Sequence, residues 1–186
     1  MPDPFIQALH DWQTFYFMVG TASATLIGLM FIAVSLGADL PAATDSNGIS
    51  TFVTPMLIHF GSVLAISATM LVPTFHVTSL GITLLVIGLI FTAYACWVGW
   101  QFIRHPASSN YTRSDWKWYV YFPIVGDVLV MAMALWLLSG SLESFNLLAV
   151  ALAILLVVSV RNTWDLMLWI AQDRQKARNV NDTMTS

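Results

Sequence analysis

Apolar residues run along this chain in long, uninterrupted blocks separated by short polar breaks. A helix crossing a hydrocarbon layer of about 30 Å needs about 20 mostly apolar residues. Five blocks reach that length: 14–37, 51–75, 79–104, 116–139 and 144–171. The breaks have loop chemistry. Positions 38–50 are rich in Asp, Asn, Gly and Pro, a short break falls around 73–78, 105–115 is polar, and Gly140-Ser141-Leu142-Glu143 makes a tight turn. Membrane β-barrels alternate apolar and polar positions over segments of about 10 residues. The stretch 147–158 does not alternate, so the pattern predicts an all-α fold, a polytopic transmembrane helical bundle with five spans.

The ends complete this plan. Residues 1–13 form a short interfacial amphipathic segment, with Asp3 as N-cap and Pro4 at the first helical position. Phe5, Ile6, Leu9 and Trp12 then share one helical face, as an interfacial helix requires. Residues 14–171 are the five-helix transmembrane domain, and 172–186 are a polar tail, disordered beyond Arg178. The apolar part of the last span, 145–160, covers only about 24 Å. That helix must continue at least one turn past Arg161.

Composition agrees. Of 186 residues, 58% are hydrophobic and 9% charged, against roughly 25% charged in soluble domains. A net charge of -3 with no basic run gives no footing for nucleic acid. The single cysteine, Cys96, excludes an intrachain disulfide and any CxxC site. Positions 1–13 hold no Lys or Arg, so they lack the basic region of a secretory signal, and the first span is read as retained.

Basic residues favour the cytoplasmic side. Arg104, Arg113, Lys117, Arg174, Lys176 and Arg178 all fall on the face shared by the first loop, the third loop and the C-terminus. The expected topology is a multi-pass cell-membrane protein with its N-terminus extracytoplasmic and its C-terminus cytoplasmic. Trp97, Trp100, Trp116, Trp118, Trp164 and Trp169 cluster toward the cytoplasmic ends, with Trp12 and Trp136 near the outer ones, matching an aromatic belt.

Candidate chemistry sits where polar groups enter apolar spans. Asp127 is near the centre of the fourth span, and Arg161 lies ten residues before Ala171 in the fifth. A charge near a helix centre costs about 2.5–3.5 kcal/mol. Equal depth therefore predicts an Asp127–Arg161 pair, with Asp165 at i+4 as a second partner for Arg161. The pair could be a structural clamp between helices, Arg161 could snorkel with Asp165 at the interface, or the groups could line a hydrated site with His59 and Asn162. Pro55 and Pro123 stand four residues before His59 and Asp127. Interior prolines break the helix ladder, and broken helices beside intramembrane polar groups point to transport sites. A lone membrane histidine is more often a packing residue, and no other span offers His59 a partner for haem.

Gly20, Ala24 and Gly28 form a small-xxx-small stripe for close helix packing. Gly81, Gly88, Ala95 and then Gly99 make a second small face, while Thr21, Ser23 and Thr25 are read as bonding back to their own helix. His10, Asp11, His76 and Glu143 share the outer face without any ligand spacing for a metal. There is no GxSxG, HExxH or P-loop. Lys117 and Lys176 lie outside the spans, so a retinal Schiff base is not expected. No catalytic residue, cofactor or metal is assigned, and the chain is not read as an enzyme. The expected function is an oligomeric channel or transporter for a small ion or solute. The alternative is a non-transporting accessory or scaffold subunit of a membrane complex. The expected partners are the lipid bilayer, further copies of the chain and that ion or solute.

Overall fold

A computed structural model describes residues 3–37, 46–73, 76–104 and 117–185, all in helices or the short turns between them. The helices are α1 (Pro4–Gly37), α2 (Ser46–Met70), α3 (Val77–Arg104), α4 (Phe122–Leu138) and α5 (Ser144–Thr185), with a π-helical turn, Lys117–Tyr121, leading into α4. The loop expected at 105–115, most of that at 38–50, and Arg113 and Trp116 lie outside the described residues. The all-helical expectation holds. Three segments are long and apolar enough to cross a membrane: Pro4–Ser35, Val77–Trp100 and Ser144–Leu168. Met56–Met70 and Phe122–Leu138 are apolar but shorter. Helix α2 itself starts at Ser46, ahead of the stretch of described side chains that begins at Met56, and α4 is short because the start of the fourth block winds as a π turn.

Local chemistry sets the helix ends. The Phe5 N–H donates to Asp3 Oδ1 at 2.9 Å, and the Asp3 carbonyl accepts from the Gln7 N–H at 3.1 Å, the N-cap arrangement. From there α1 runs unbroken to Gly37. The segment read as interfacial is thus the first turns of α1, with Phe5 buried and its ring 6.3 Å from that of Phe145. At the start of α3, Ser79 Oγ donates to the His76 carbonyl and accepts from the His76 N–H, both at 3.0 Å. The α4–α5 turn needs a positive φ of 89° at Gly140, a conformation glycine adopts freely. At the other end, α5 continues as helix to Thr185, past the point where disorder was expected.

Packing follows the small residues. A Cβ added at Gly81 would meet Leu138, one at Gly88 would stand 2.8 Å from Met131 Cγ, and one at Gly99 would meet Val120. Each step along α3 is matched by an equal step back along α4, so the two run antiparallel in fixed register. A seven-residue spacing keeps one face toward a neighbour over several turns. On the other side of α4, a Cβ at Gly126 would stand 2.6 Å from Leu155 Cδ2 on α5. Helix α2 packs on α1, α3 and α5, and the Ser23 hydroxyl of α1 donates across to the Phe60 carbonyl at 2.7 Å. Thr21 and Thr25 do bond back within α1, to the carbonyls of Phe17 and Thr21.

The main core joins Tyr16, Ile66, Leu84, Val130, Met133, Leu148 and Leu155. A smaller one joins Met30, Met56, Phe60, Val120 and Leu166. The outward faces stay apolar: Phe17, Phe31, Ile90 and Val157 are each about three-fifths exposed. Patches this large are a liability in water and ordinary in lipid.

Replacing Gly88 or Gly126 with Leu forces side chains where helices touch, and overpacking of this kind costs typically about 1–3 kcal/mol. Both variants should lower the thermal midpoint in detergent. Gly28 has nothing within 4 Å of an added Cβ, so Gly28→Leu should leave the monomer's midpoint unchanged. Equal losses in all three would contradict this packing.

Candidate functional site

The polar residues of the interior separate into two levels along the bundle. Contacts between chains of residues fix those levels. Phe5 beside Phe145 sets α1 and α5 side by side from a common end, and Gly126 against Leu155 sets α4 against α5. Arg161 comes six residues after Leu155, about 9 Å farther along the axis at 1.5 Å per residue.

Asp127 occupies the middle level. It is wholly buried, and neither carboxyl oxygen has a hydrogen-bond partner among the described residues. The adjacent Gly126 lets α5 approach closely, and the Asp127 carbonyl lies 3.6 Å from where a Gly88 Cβ would stand. The carboxyl is therefore enclosed where three helices crowd together. Burying an ionised carboxylate without a partner is expensive, so this group needs a proton, a cation or a donor.

The predicted Asp127–Arg161 pair is not made. Arg161 Nη1 stands 3.3 Å from Asp165 Oδ2, one turn on, and the guanidinium carbon lies 4.1 Å from the Trp118 ring centroid. The carboxylate of Asp165 is close enough to count as an ion partner, yet Nη1 makes no aligned hydrogen bond. Both side chains are about a third exposed, where screening by solvent keeps such a pair weak. The expected pairing rested on counting back from Ala171, but α5 does not end there, and Gly126 packs on Leu155, six residues before Arg161. The pairing expected second, Arg161 with Asp165, is the one that forms.

Asn162 faces inward beside Arg161, 1% exposed, and its Nδ2 donates to the Trp118 carbonyl at 3.2 Å. The reason lies in Pro123. In π register a carbonyl looks five residues ahead for its donor, and for Trp118 that residue is the proline, which has no N–H. Asn162 supplies the missing donor, so the amide and the cation of α5 together hold the π turn. His59 lies beside the smaller core, 3% exposed, with Nδ1 lacking a partner. Neither hydrogen bond nor ion pair links it to Asp127 or Arg161 among the described residues. The side chain of Pro55 lies outside the described residues.

The small stripe of α1 divides. Gly20 is buried, its Cβ position 3.0 Å from Ser67 Cβ on α2, whereas Ala24 and Gly28 are exposed. Sequence reasoning passed over Trp118, whose carbonyl is legible only through the proline five residues on. It also passed over Tyr16 and Ser67, both wholly buried with hydroxyls lacking partners. No local signal marks either. Comparison with known protein families, curated proteins and solved structures finds no match.

Since Asp127 and Arg161 occupy separate levels, the stability losses of Asp127→Asn and Arg161→Gln should add within about 0.5 kcal/mol. Pro123→Ala restores an N–H near Trp118, so Asn162→Leu should be less damaging in that background. Strong coupling in the first cycle, or none in the second, would contradict the two-level arrangement.

Proposed function

We propose that this chain is an integral membrane protein of five crossings that moves a small ion, and that Asp127 is the group the ion visits. The observation that carries the reading is a buried carboxyl with no hydrogen-bond partner among the described residues. Charged residues inside a membrane mark ion pathways and proton relays when nothing in the fold neutralises them. The apolar outer faces and the three long apolar helices support the membrane setting. For the two shorter helices, the π turn ahead of α4 and the stretch ahead of Met56 supply the remaining length.

The ion fits a proton best. A divalent cation takes six or more oxygen ligands or a tight octahedral set. Among the described residues no three of His, Cys, Asp and Glu gather, and Asp127 is a single carboxyl. One carboxyl suffices for a proton. We place the Arg161 level at the cytoplasmic side, about 26 Å from the start of α5, with the N-terminus outside. That location suits the exposed Trp97, Trp100 and Trp164 as an interfacial belt. No catalytic role is proposed.

A second reading, a non-transporting accessory or scaffold subunit of a membrane complex, draws on Ala24 and Gly28, which stand open on the lipid-facing side of α1. Small residues there let another helix approach closely.

Reconstituted in liposomes under a pH gradient, the parent chain should dissipate the gradient. Asp127→Asn, folded and inserted equally well, should cut the rate at least tenfold. Flux unchanged in Asp127→Asn would remove Asp127 from the pathway. A parent inactive under proton, sodium and potassium gradients would favour the accessory reading.

A further inference from the structure

The outward face of α5 carries a groove of about 410 Å³ lined by Leu156, Val157, Val160, Arg161 and Trp164. We propose that this groove holds an anionic phospholipid of the cytoplasmic leaflet, its acyl chain along Leu156, Val157 and Val160 and its phosphate on the Arg161 guanidinium. The inference rests on the membrane placement above, but not on Asp127 carrying an ion.

The groove is apolar along its length and ends at the Arg161 guanidinium, whose charge Asp165 partly offsets. Its walls are open to the outside, with Val157 63% and Trp164 64% exposed. Among the described residues, Arg161 is its only charged lining residue. Asp165 lies beside one guanidinium nitrogen, and Trp118 covers one face of the plane. The side chain nevertheless stays 38% exposed, leaving part of its fixed fork of N–H donors for a phosphate, which guanidinium groups hold in bidentate fashion.

Depth agrees with this occupant. At about 26 Å along α5 from Ser144, Arg161 sits near the far edge of a hydrocarbon layer of about 30 Å. That is where a headgroup phosphate lies and where indoles such as Trp118 and Trp164 settle. A soluble anion would gain nothing from the apolar wall. A zwitterionic lipid would fill the wall equally well but would gain less from the cation.

Lipid retention tests the assignment. The purified chain is exchanged into nanodiscs of mixed phosphatidylglycerol and phosphatidylcholine, and lipid retained after delipidation is measured by native mass spectrometry. The parent should retain phosphatidylglycerol about fivefold over phosphatidylcholine, the effect of one basic residue near an anionic surface. Arg161→Gln should abolish the preference. Val157→Trp, which fills the groove from a lipid-facing position and leaves Arg161 in place, should lower retention of both lipids. No preference in the parent, a preference surviving in Arg161→Gln, or undiminished retention in Val157→Trp would overturn the proposal. Displacement of the lipid by millimolar inorganic phosphate would also overturn it, because the site would then be a free-anion site.

Discussion

Inside a bilayer there is no water to complete a hydrogen bond, so every polar group must find its partner within the protein. Most of what is distinctive here follows from that constraint. Helices meet it for the backbone, and Thr21 and Thr25 of α1 meet it by bonding back to Phe17 and Thr21. The difficulty starts at Pro123, which deprives the π turn of a donor. The amide of Asn162, brought inward on the neighbouring helix, meets that need. Arg161, the residue just before it, is turned outward, where it stacks on Trp118 and lies beside Asp165. One break in one helix thus fixes the positions of two polar residues on another.

Asp127 is the acidic exception; the neutral Tyr16 and Ser67 hydroxyls and Nδ1 of the His59 ring also lack partners among the described residues. The close approach of α3 and α5 around Asp127, made possible by Gly88 and Gly126, leaves its carboxyl oxygens without a hydrogen bond among the described residues. Small residues in membrane helices strengthen packing between neighbours, and here the same tight packing seals the carboxyl from solvent. Stability and chemistry pull in opposite directions at this point. The glycine contacts hold α4 in place, and the acid they enclose carries a desolvation penalty until something neutralises it.

The architecture was largely legible because hydrophobic blocks and turn chemistry are local. Asp3 and Pro4 marked the start of α1, and Gly140 marked the turn before α5. Depth was less legible, because it depends on how helices slide against one another. Arg161 was placed by counting from Ala171, whereas contacts at Leu155 and Trp118 set its true level. The partner of Asn162 was hidden for a different reason. It is a backbone carbonyl, and only the absence of an N–H at Pro123 announces it. Gly20, Ala24 and Gly28 looked like one face, yet the drift of the helix turns Gly20 toward α2 and leaves Gly28 outside.

The account stands or falls on whether Asp127 is an enclosed carboxyl without an ionic partner. A lipophilic carbodiimide reacts with a carboxyl that carries its proton and is reached through the bilayer. Added to the chain in native membranes, followed by peptide mass mapping, it should modify Asp127 and leave Asp165, the ion partner of Arg161, unmodified. A folded protein in which Asp127 resists the reagent, or in which Arg161→Gln is needed to expose it, would mean that the acid is ion-paired after all.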